Sequence, residues 1–196
     1  MKNKLLGVIS LGCSKNRLDT EGMLYALLQN GFEITEELDQ ADLLIVNTCS
    51  FIQSAKEESI EAILQAGEIK SQKEGCKLLV TGCLPERYRE ELARELPEVD
   101  AFVGVNQYGK IVDIVNRMFE GERIAEFVER AALPLGRVRT TPKHLAYVRI
   151  AEGCDHACAY CAIPSIRGPY RSRPMEEIIE ECKHLIADGA KEIVLI

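Results

Sequence analysis

The chain has 196 residues, 46% hydrophobic and 28% charged, a balance that excludes an intrinsically disordered chain and predicts a packed core. Trp is absent and aromatics make up 6%, so that core must be mostly aliphatic. A formal charge of −7 and a pI near 5.2 argue against direct nucleic-acid binding by this part, and no stretch reaches the ~20 apolar residues of a membrane span.

From the N-terminus onward, short apolar runs alternate with helical patterns, which predicts a parallel sheet covered by helices. The first run is Leu5–Leu11. Its helix follows from about Asp19, with Met23, Leu24, Leu27 and Leu28 on one face and Gly31 as the stop. The second run is Asp42–Asn47, followed by a helix carrying Ile60, Ile63, Leu64 and Gly67 at i, i+3, i+4 and i+7. Lys77–Thr81 is the third, with a helix opening at Pro85, a good first-turn residue. The fourth, Ala101–Val105, leads into a helix that turns Ile111, Ile114, Val115, Met118 and Phe119 inward. The expectation is an open doubly wound α/β domain over residues 1–125.

Residues 126–143 contain two prolines and no clear period toward their end, and read as a linker. A second domain, 144–196, begins with a strand at Leu145–Ile150. Its helix, Met175–Asp188, sets Met175, Ile178, Ile179, Cys182, Leu185 and Ile186 on one stripe, with Glu176 and Glu177 in the first turn where the helix dipole favours them. A last strand starts at Glu192. A βαβ unit that stops mid-strand predicts an incomplete domain.

Eight cysteines are the outstanding feature. Met1–Cys13 (MKNKLLGVISLGC) has the lysines, apolar run and Gly-Cys pair of a lipoprotein signal. The run is short, however, is interrupted by Gly7, and leads directly into an amphipathic helix. A cytoplasmic location is expected, where multiple cysteines point to metal or redox chemistry rather than disulfides.

Cys13, Cys49 and Cys83 each follow the end of a predicted strand (ISLGC, IVNTC, LVTGC). In a parallel sheet the carboxyl ends of the strands share one edge, where ligands bind, so the fold would gather three distant thiols there if their strands are neighbours. Gly12 and Gly82 would let the backbone approach a bulky group. One such cysteine alone would read as a buried thiol; three in equivalent positions read as a metal site. Three thiolates with no evident fourth ligand suit a [4Fe–4S] cluster with one open iron better than a closed zinc site. Cys76, on the opposite edge, and Cys182, on an apolar stripe, read as core.

In EGCDHACAYCAIPSIRG, Cys154, Cys158 and Cys161 fall within eight positions just after a strand. Such a loop can wrap one cubane and ligate three of its irons, leaving the fourth to S-adenosylmethionine, whose reductive cleavage yields a hydrogen-abstracting radical. Tyr160 is placed to contact the adenine. A zinc knuckle would want C-x2-C pairs and four ligands, and His156 sits cramped inside the loop. His144 and His184 have no assigned role. Arg167, Arg171 and Arg173 read equally as carboxylate-binding groups or as loop structure.

These residues resemble the radical S-adenosylmethionine methylthiotransferases. SLGCSKNRLDTE at Ser10–Glu21, NTCSFIQSAKEES at Asn47–Ser59, TGC at Thr81–Cys83 and RIAEGCDHACAYCAIPSIRG at Arg149–Gly168 are similar to that family's motifs. The first two look more like the branch that modifies an aspartate of the twelfth protein of the small ribosomal subunit than the tRNA-modifying branch. The resemblance implies a methylthiotransferase N-terminal domain and the first βαβ part of a radical-SAM partial TIM barrel. It implies two [4Fe–4S] clusters, an auxiliary one on Cys13, Cys49 and Cys83 and a radical-generating one on Cys154, Cys158 and Cys161. It further implies S-adenosylmethionine as methyl donor and radical source, replacement of C–H by C–S–CH3, and no catalytic side chain beyond the cluster ligands. With the radical domain incomplete, the 196-residue chain is expected to be inactive by itself. A tRNA adenosine methylthiotransferase is the nearest alternative, and a non-catalytic iron–sulfur or zinc-binding module is the alternative of another class.

Overall fold

A computed structural model describes residues 3–105, 107–127 and 136–196. The chain divides into two compact units, Met1–Arg137 and Val138–Ile196. The expected linker, 126–143, straddles this division, and its residues 128–135 lie outside the described ones.

The first unit runs β1 (Lys4–Ser10), α1 (Ser14–Leu28), β2 (Phe32–Ile34), β3 (Leu43–Thr48), α2 (Gln53–Ser71), β4 (Lys77–Gly82), α3 (Cys83–Glu95), β5 (Ala101–Val103), α4 (Ile111–Phe119) and β6 (Ile124–Glu126). All six strands are parallel, in the order β2-β1-β3-β4-β5-β6. This is the open doubly wound sheet that the alternating runs predict. The chain winds outward from β1 in both directions, so the gap between β1 and β3 is the topological switch point, where such sheets bind ligands.

The strand sequences are apolar without interruption because both faces of the sheet are covered. Leu44 pairs with Leu78, Val46 with Val80 and Val80 with Phe102. These five residues, buried on one face, pack with Ala62, Ile63 and Ala66 of α2 and Leu84 and Leu92 of α3. The alternate residues Leu43, Ile45 and Leu79 point to the other face and are equally buried. Helices α1 and α4 pack against each other, and α4 buries Ile111, Ile114, Val115 and Met118 as its period requires.

Several boundaries differ from the sequence reading. Helix α1 begins at Ser14, five residues before Asp19, because its first turns bury mostly polar side chains, Asn16, Asp19, Thr20 and Glu21, with Leu18 as the one apolar residue among them. Strands β2 and β6, three residues each, carry no alternation long enough to register. In α2 the buried side is Ser59, Ala62, Ile63 and Ala66, and Leu64 is 47% exposed. Helix α3 starts at Cys83, two residues before Pro85, which the first turn tolerates because its N–H would have no partner there. That helix is interrupted at Arg89, whose φ of 37° no regular helix allows. Strand β5 ends at Val103 rather than Val105.

The second unit contains β7 (Leu145–Val148), β8 (Ala151–Glu152), α5 (Ile163–Arg167), β9 (Arg171–Ser172), α6 (Met175–Ala187) and β10 (Glu192–Leu195). Strand β10 lies parallel to β7 with Leu145 opposite Glu192, so β7, α6 and β10 form the expected βαβ unit. The strand read as Leu145–Ile150 stops at Val148, and a short antiparallel pair, β8 with β9, follows it. Its core is small: Ala146, Val148, Leu185 and Ala190, with Ile150, Ile178, Cys182 and Ile193 against it. The α6 stripe is split. Ile178, Cys182 and Leu185 face inward, while Met175, Ile179 and Ile186 are 69%, 45% and 58% exposed. Among the described residues no helix is long and apolar enough to cross a membrane.

The neighbours Ile63 and Leu64 separate the two faces of α2. Ile63→Ala is expected to lower the unfolding free energy by about 2–5 kcal/mol. Leu64→Ala should change it by about 0.5 kcal/mol or less. Urea denaturation of both variants checks the pair, and equal losses would contradict the buried face described above.

Candidate metal centres

Ser10, Asn47 and Thr81 stand side by side across β1, β3 and β4. Cys13 lies three residues beyond the first, and Cys49 and Cys83 two beyond the others, so three adjacent strands deliver their thiols to one edge. Backbone pairing continues past β1, with Leu11 N–H donating to the Asn47 carbonyl at 2.9 Å. The next residue packs directly on a cysteine: a methyl group at Gly12 would lie 2.8 Å from Cys49 Cβ and 3.1 Å from its Sγ. The bulky neighbour that Gly12 accommodates is thus another strand end.

Each cysteine occupies a distinct position. Cys13 is exposed and extended, immediately before the first turn of α1, and its thiol makes no capping bond. Cys49 and Cys83 are each 8% exposed. Ser59, projecting from α2, accepts from Cys49 N–H at 3.0 Å and donates to the Cys49 carbonyl at 2.9 Å, fixing that residue's backbone on both sides. Ser50 Oγ donates to the Cys83 carbonyl at 3.0 Å, and Arg87 donates to the Ser50 carbonyl at 2.9 Å. Thr48 Oγ1 donates to the Thr81 carbonyl at 2.6 Å and accepts from Leu84 N–H at 3.3 Å. The ends of β3 and β4 are therefore stitched by side chains after the sheet ladder stops.

Among the described residues no set of three or more His, Cys, Asp or Glu side chains is drawn close enough to hold a single metal ion. A cubane attaches each thiolate to a different iron and spreads its ligands more widely than one ion does. None of the eight cysteines forms a disulfide. Cys76 sits at the opposite edge, buried at 4% in the core under α2 and α3. Burial pushes its thiol pKa above the ordinary value, opposed by Lys73 and Lys70.

In the second unit the triplet lies in the loop after β8. Cys154 N–H donates to the Gly168 carbonyl at 3.1 Å, His156 N–H to Cys154 Sγ at 3.5 Å, and Cys161 N–H to the Cys158 carbonyl at 3.1 Å. Cys154 and Cys161 are half-buried and Cys158 is exposed. Tyr160 is 94% exposed, so its ring is open to solvent beside Cys161. Gly153 has φ +75°, and a Cβ there would collide with the Gly168 and Pro169 carbonyls.

A buried carboxylate anchors this loop. Glu152, 4% exposed, lies 3.3 Å from the Arg149 guanidinium and 3.7 Å from that of Arg167, so one side chain ties the strand before the triplet to the helix after it. Arg173 donates to the Arg149 carbonyl at 2.8 Å and to Glu181 at 2.5 Å. Of the three arginines read two ways, Arg167 and Arg173 thus hold loop structure, and Arg171 lies in β9 opposite Glu152. Sequence reasoning missed Asn16, Thr48, Ser50, Ser59 and Glu152. Polar residues interrupting apolar runs at strand ends (NTC, VTG) were the signal for the first group, and an acid just before the triplet for the last.

Residues 6–104 match the family described as "Uncharacterized protein family UPF0004", and residues 148–196 match the Radical SAM superfamily. The first match takes in half of the chain, and the chain belongs to that family. "Ribosomal protein uS12 methylthiotransferase RimO" of Thermoanaerobacter sp. (strain X514) is 45% identical, over 100% of this chain and 45% of that protein. The protein of the same name from Clostridium tetani (strain Massachusetts / E88) is 50% identical, over 97% of this chain and 43% of its own length. The chain therefore spans less than half the length of these relatives, whose names agree with the methylthiotransferase resemblance of the motifs. Among solved structures, the radical S-adenosylmethionine methyltransferase TsrM from Kitasatospora setae, with cobalamin and a [4Fe-4S] cluster bound, has a TM-score of 0.65 at 14% identity. That match covers 100% of this chain and 47% of the other, and it is a likeness of fold.

Two outcomes test this geometry. Gly153→Ala should accelerate hydrogen exchange at the Cys154 and Cys161 amides while the β3 and β4 amides keep their protection; unchanged exchange in the loop would contradict the close approach. In the metal-free chain at neutral pH, iodoacetamide should alkylate exposed Cys158 at least about tenfold faster than buried Cys76, because the thiolate is the nucleophile and access is needed. Peptide mass spectrometry reads both sites.

Proposed function

We propose that this chain carries the iron–sulfur part of a radical S-adenosylmethionine methylthiotransferase that replaces a C–H bond of an aspartate in ribosomal protein uS12 with C–S–CH3. The observation that carries the reading is the placement of Cys13, Cys49 and Cys83 on three adjacent strand ends, in a chain that aligns throughout with relatives bearing that name. The activity is that of a protein of the relatives' full length.

The donor set fits iron–sulfur ligation: six cysteines outside any disulfide, three at the strand ends and three in one loop. Cys154, Cys158 and Cys161 would hold one [4Fe–4S] cluster, and Cys13, Cys49 and Cys83 a second. Bound at the loop, the first cluster with S-adenosylmethionine supplies a radical able to remove an unactivated hydrogen. The chain's own residues place the ligands. Ser59 fixes the backbone of Cys49, Ser50 and Thr48 fix that of Cys83 and its neighbours, and Glu152 with Arg167 closes the ends of the triplet loop. The exposure of Cys158 and Tyr160 leaves the loop open to an incoming cofactor, and Tyr160 would cover its adenine. A protein that modifies a ribosomal protein works in the cytoplasm, with the net charge of −7 consistent with a protein substrate.

After anaerobic reconstitution the chain should bind about eight irons with matching sulfide, falling to about four when either trio is replaced by alanine. Zinc in place of iron would overturn the reading. With a protein of full length, methylthiolated uS12 is the expected product in mass spectrometry, and modification of a tRNA adenosine instead would assign the other substrate.

A further inference from the structure

We infer that Asn16 is a positioning residue for the Cys13, Cys49 and Cys83 site, setting the spacing of the three strand ends that carry those thiols. The inference rests on the proposal that these cysteines hold a cluster.

Asn16 lies in the first turn of α1, three residues after Cys13, and is completely buried. Its carboxamide Nδ2 donates to the Thr48 carbonyl at 2.7 Å and to the Leu11 carbonyl at 3.2 Å. Those carbonyls belong to the residue before Cys49 and to the turn that leads into Cys13. With both amide protons directed there, the amide oxygen is turned the other way, and Cys83 Sγ donates to it at 3.5 Å. One planar group thus touches chain adjacent to two of the cysteines and the sulfur of the third. Its backbone takes part as well: the Asn16 carbonyl accepts from Asn47 Nδ2 at 2.8 Å and from Thr20 Oγ1 at 3.2 Å.

The geometry separates this role from ordinary core satisfaction. Thr20, one turn along the same helix, is also buried, but it bonds Ser10, Asn47 and the Asn16 carbonyl rather than a cysteine. Glu21, farther along, is buried and pairs with Arg137 at 2.8 Å. In the metal-free chain Asn16 bonds to all three strand ends at once; as a thiolate ligand Cys83 would give up its S–H bond, and the two Nδ2 bonds to the Thr48 and Leu11 carbonyls would keep the amide in place. A side chain of fixed length and planar shape between them acts as a spacer, and supporting groups of this kind usually alter metal affinity about 10–100-fold when removed.

The test uses the chain with Cys154, Cys158 and Cys161 replaced by alanine, so that the trio from the strand ends is the remaining site. Iron content, the electron paramagnetic resonance spectrum of the reduced cluster, and the rate of iron loss to a chelator are measured after anaerobic reconstitution. Asn16→Ala and the isosteric Asn16→Asp, which removes the two N–H donors, should each lose iron about tenfold faster or more and shift the spectrum. Ile63→Ala, a destabilising change in the core away from the strand ends, should lower the melting temperature of the metal-free chain without changing iron loss. Should Asn16→Ala fail to fold, Asn16→Asp decides in the same way. Iron loss at the parent rate in the Asn16 variants, or an equal acceleration in Ile63→Ala, would overturn the inference. A parent that takes up no iron would instead overturn the cluster proposal itself.

Discussion

The parallel register of β1, β3 and β4 is the constraint on which the candidate centre depends. A shift of one residue in any of these strands would exchange its two faces, moving Leu44 and Val46, or Leu78 and Val80, from one helix layer to the other. Burial on both sides makes such a slip costly, since each face is filled by differently shaped partners. The same register that satisfies the core brings Ser10, Asn47 and Thr81 abreast, and with them the three cysteines a few residues on. The aliphatic packing therefore sets the position of the three cysteines without touching the chemistry proposed for them.

At the carboxyl edge the sheet ladder ends while the chain is still buried, leaving backbone groups that need partners. Asn47, Thr48, Ser50 and Ser59 supply them, each from one element to another. Apolar replacements would serve the core equally well in volume but would leave those carbonyls and N–H groups without hydrogen bonds in a low-dielectric site. That explains why polar residues cluster where the strands stop, and why they are buried rather than solvated.

How far the sequence revealed this arrangement depends on the kind of interaction involved. The runs LLIV and LLV announce strands because fully buried parallel strands are apolar at every position, and α4 announces its face through Ile111, Ile114, Val115 and Met118. Long apolar periods survive in a one-dimensional reading. The start of α1 does not, since Asn16, Asp19, Thr20 and Glu21 look like a solvated surface until the tertiary structure buries them. Strands β2 and β6 are too short to carry a period, and the inward side of α2 depends on small residues, Ala62 and Ala66, whose packing value is invisible beside the louder Leu64. The cysteines were legible as a set because each follows a strand. Their supporting residues were not, because Ser59 reaches Cys49 and Asn16 reaches Cys83 only after the chain has folded.

The two cysteine trios differ in how much of the fold each requires. Cys154, Cys158 and Cys161 are close in sequence, and their loop is tied by local contacts: Cys154 to Gly168, Cys161 to Cys158, and Glu152 to Arg149 and Arg167. Bringing such a loop together costs little chain entropy, since its closure spans few residues. Cys13, Cys49 and Cys83 are spread over about 70 residues and come to one sheet edge only when three strands and two of the helices between them are in place. Their placement on that edge is stabilised by the whole sheet, so the ordering is offset by burial in the core rather than by local contacts. A centre of the first kind can be altered by residues in its own loop. A centre of the second kind responds to any change that moves one strand against the next, which makes the buried polar bridges between strand ends, more than the thiols' immediate surroundings, the place where its geometry is decided.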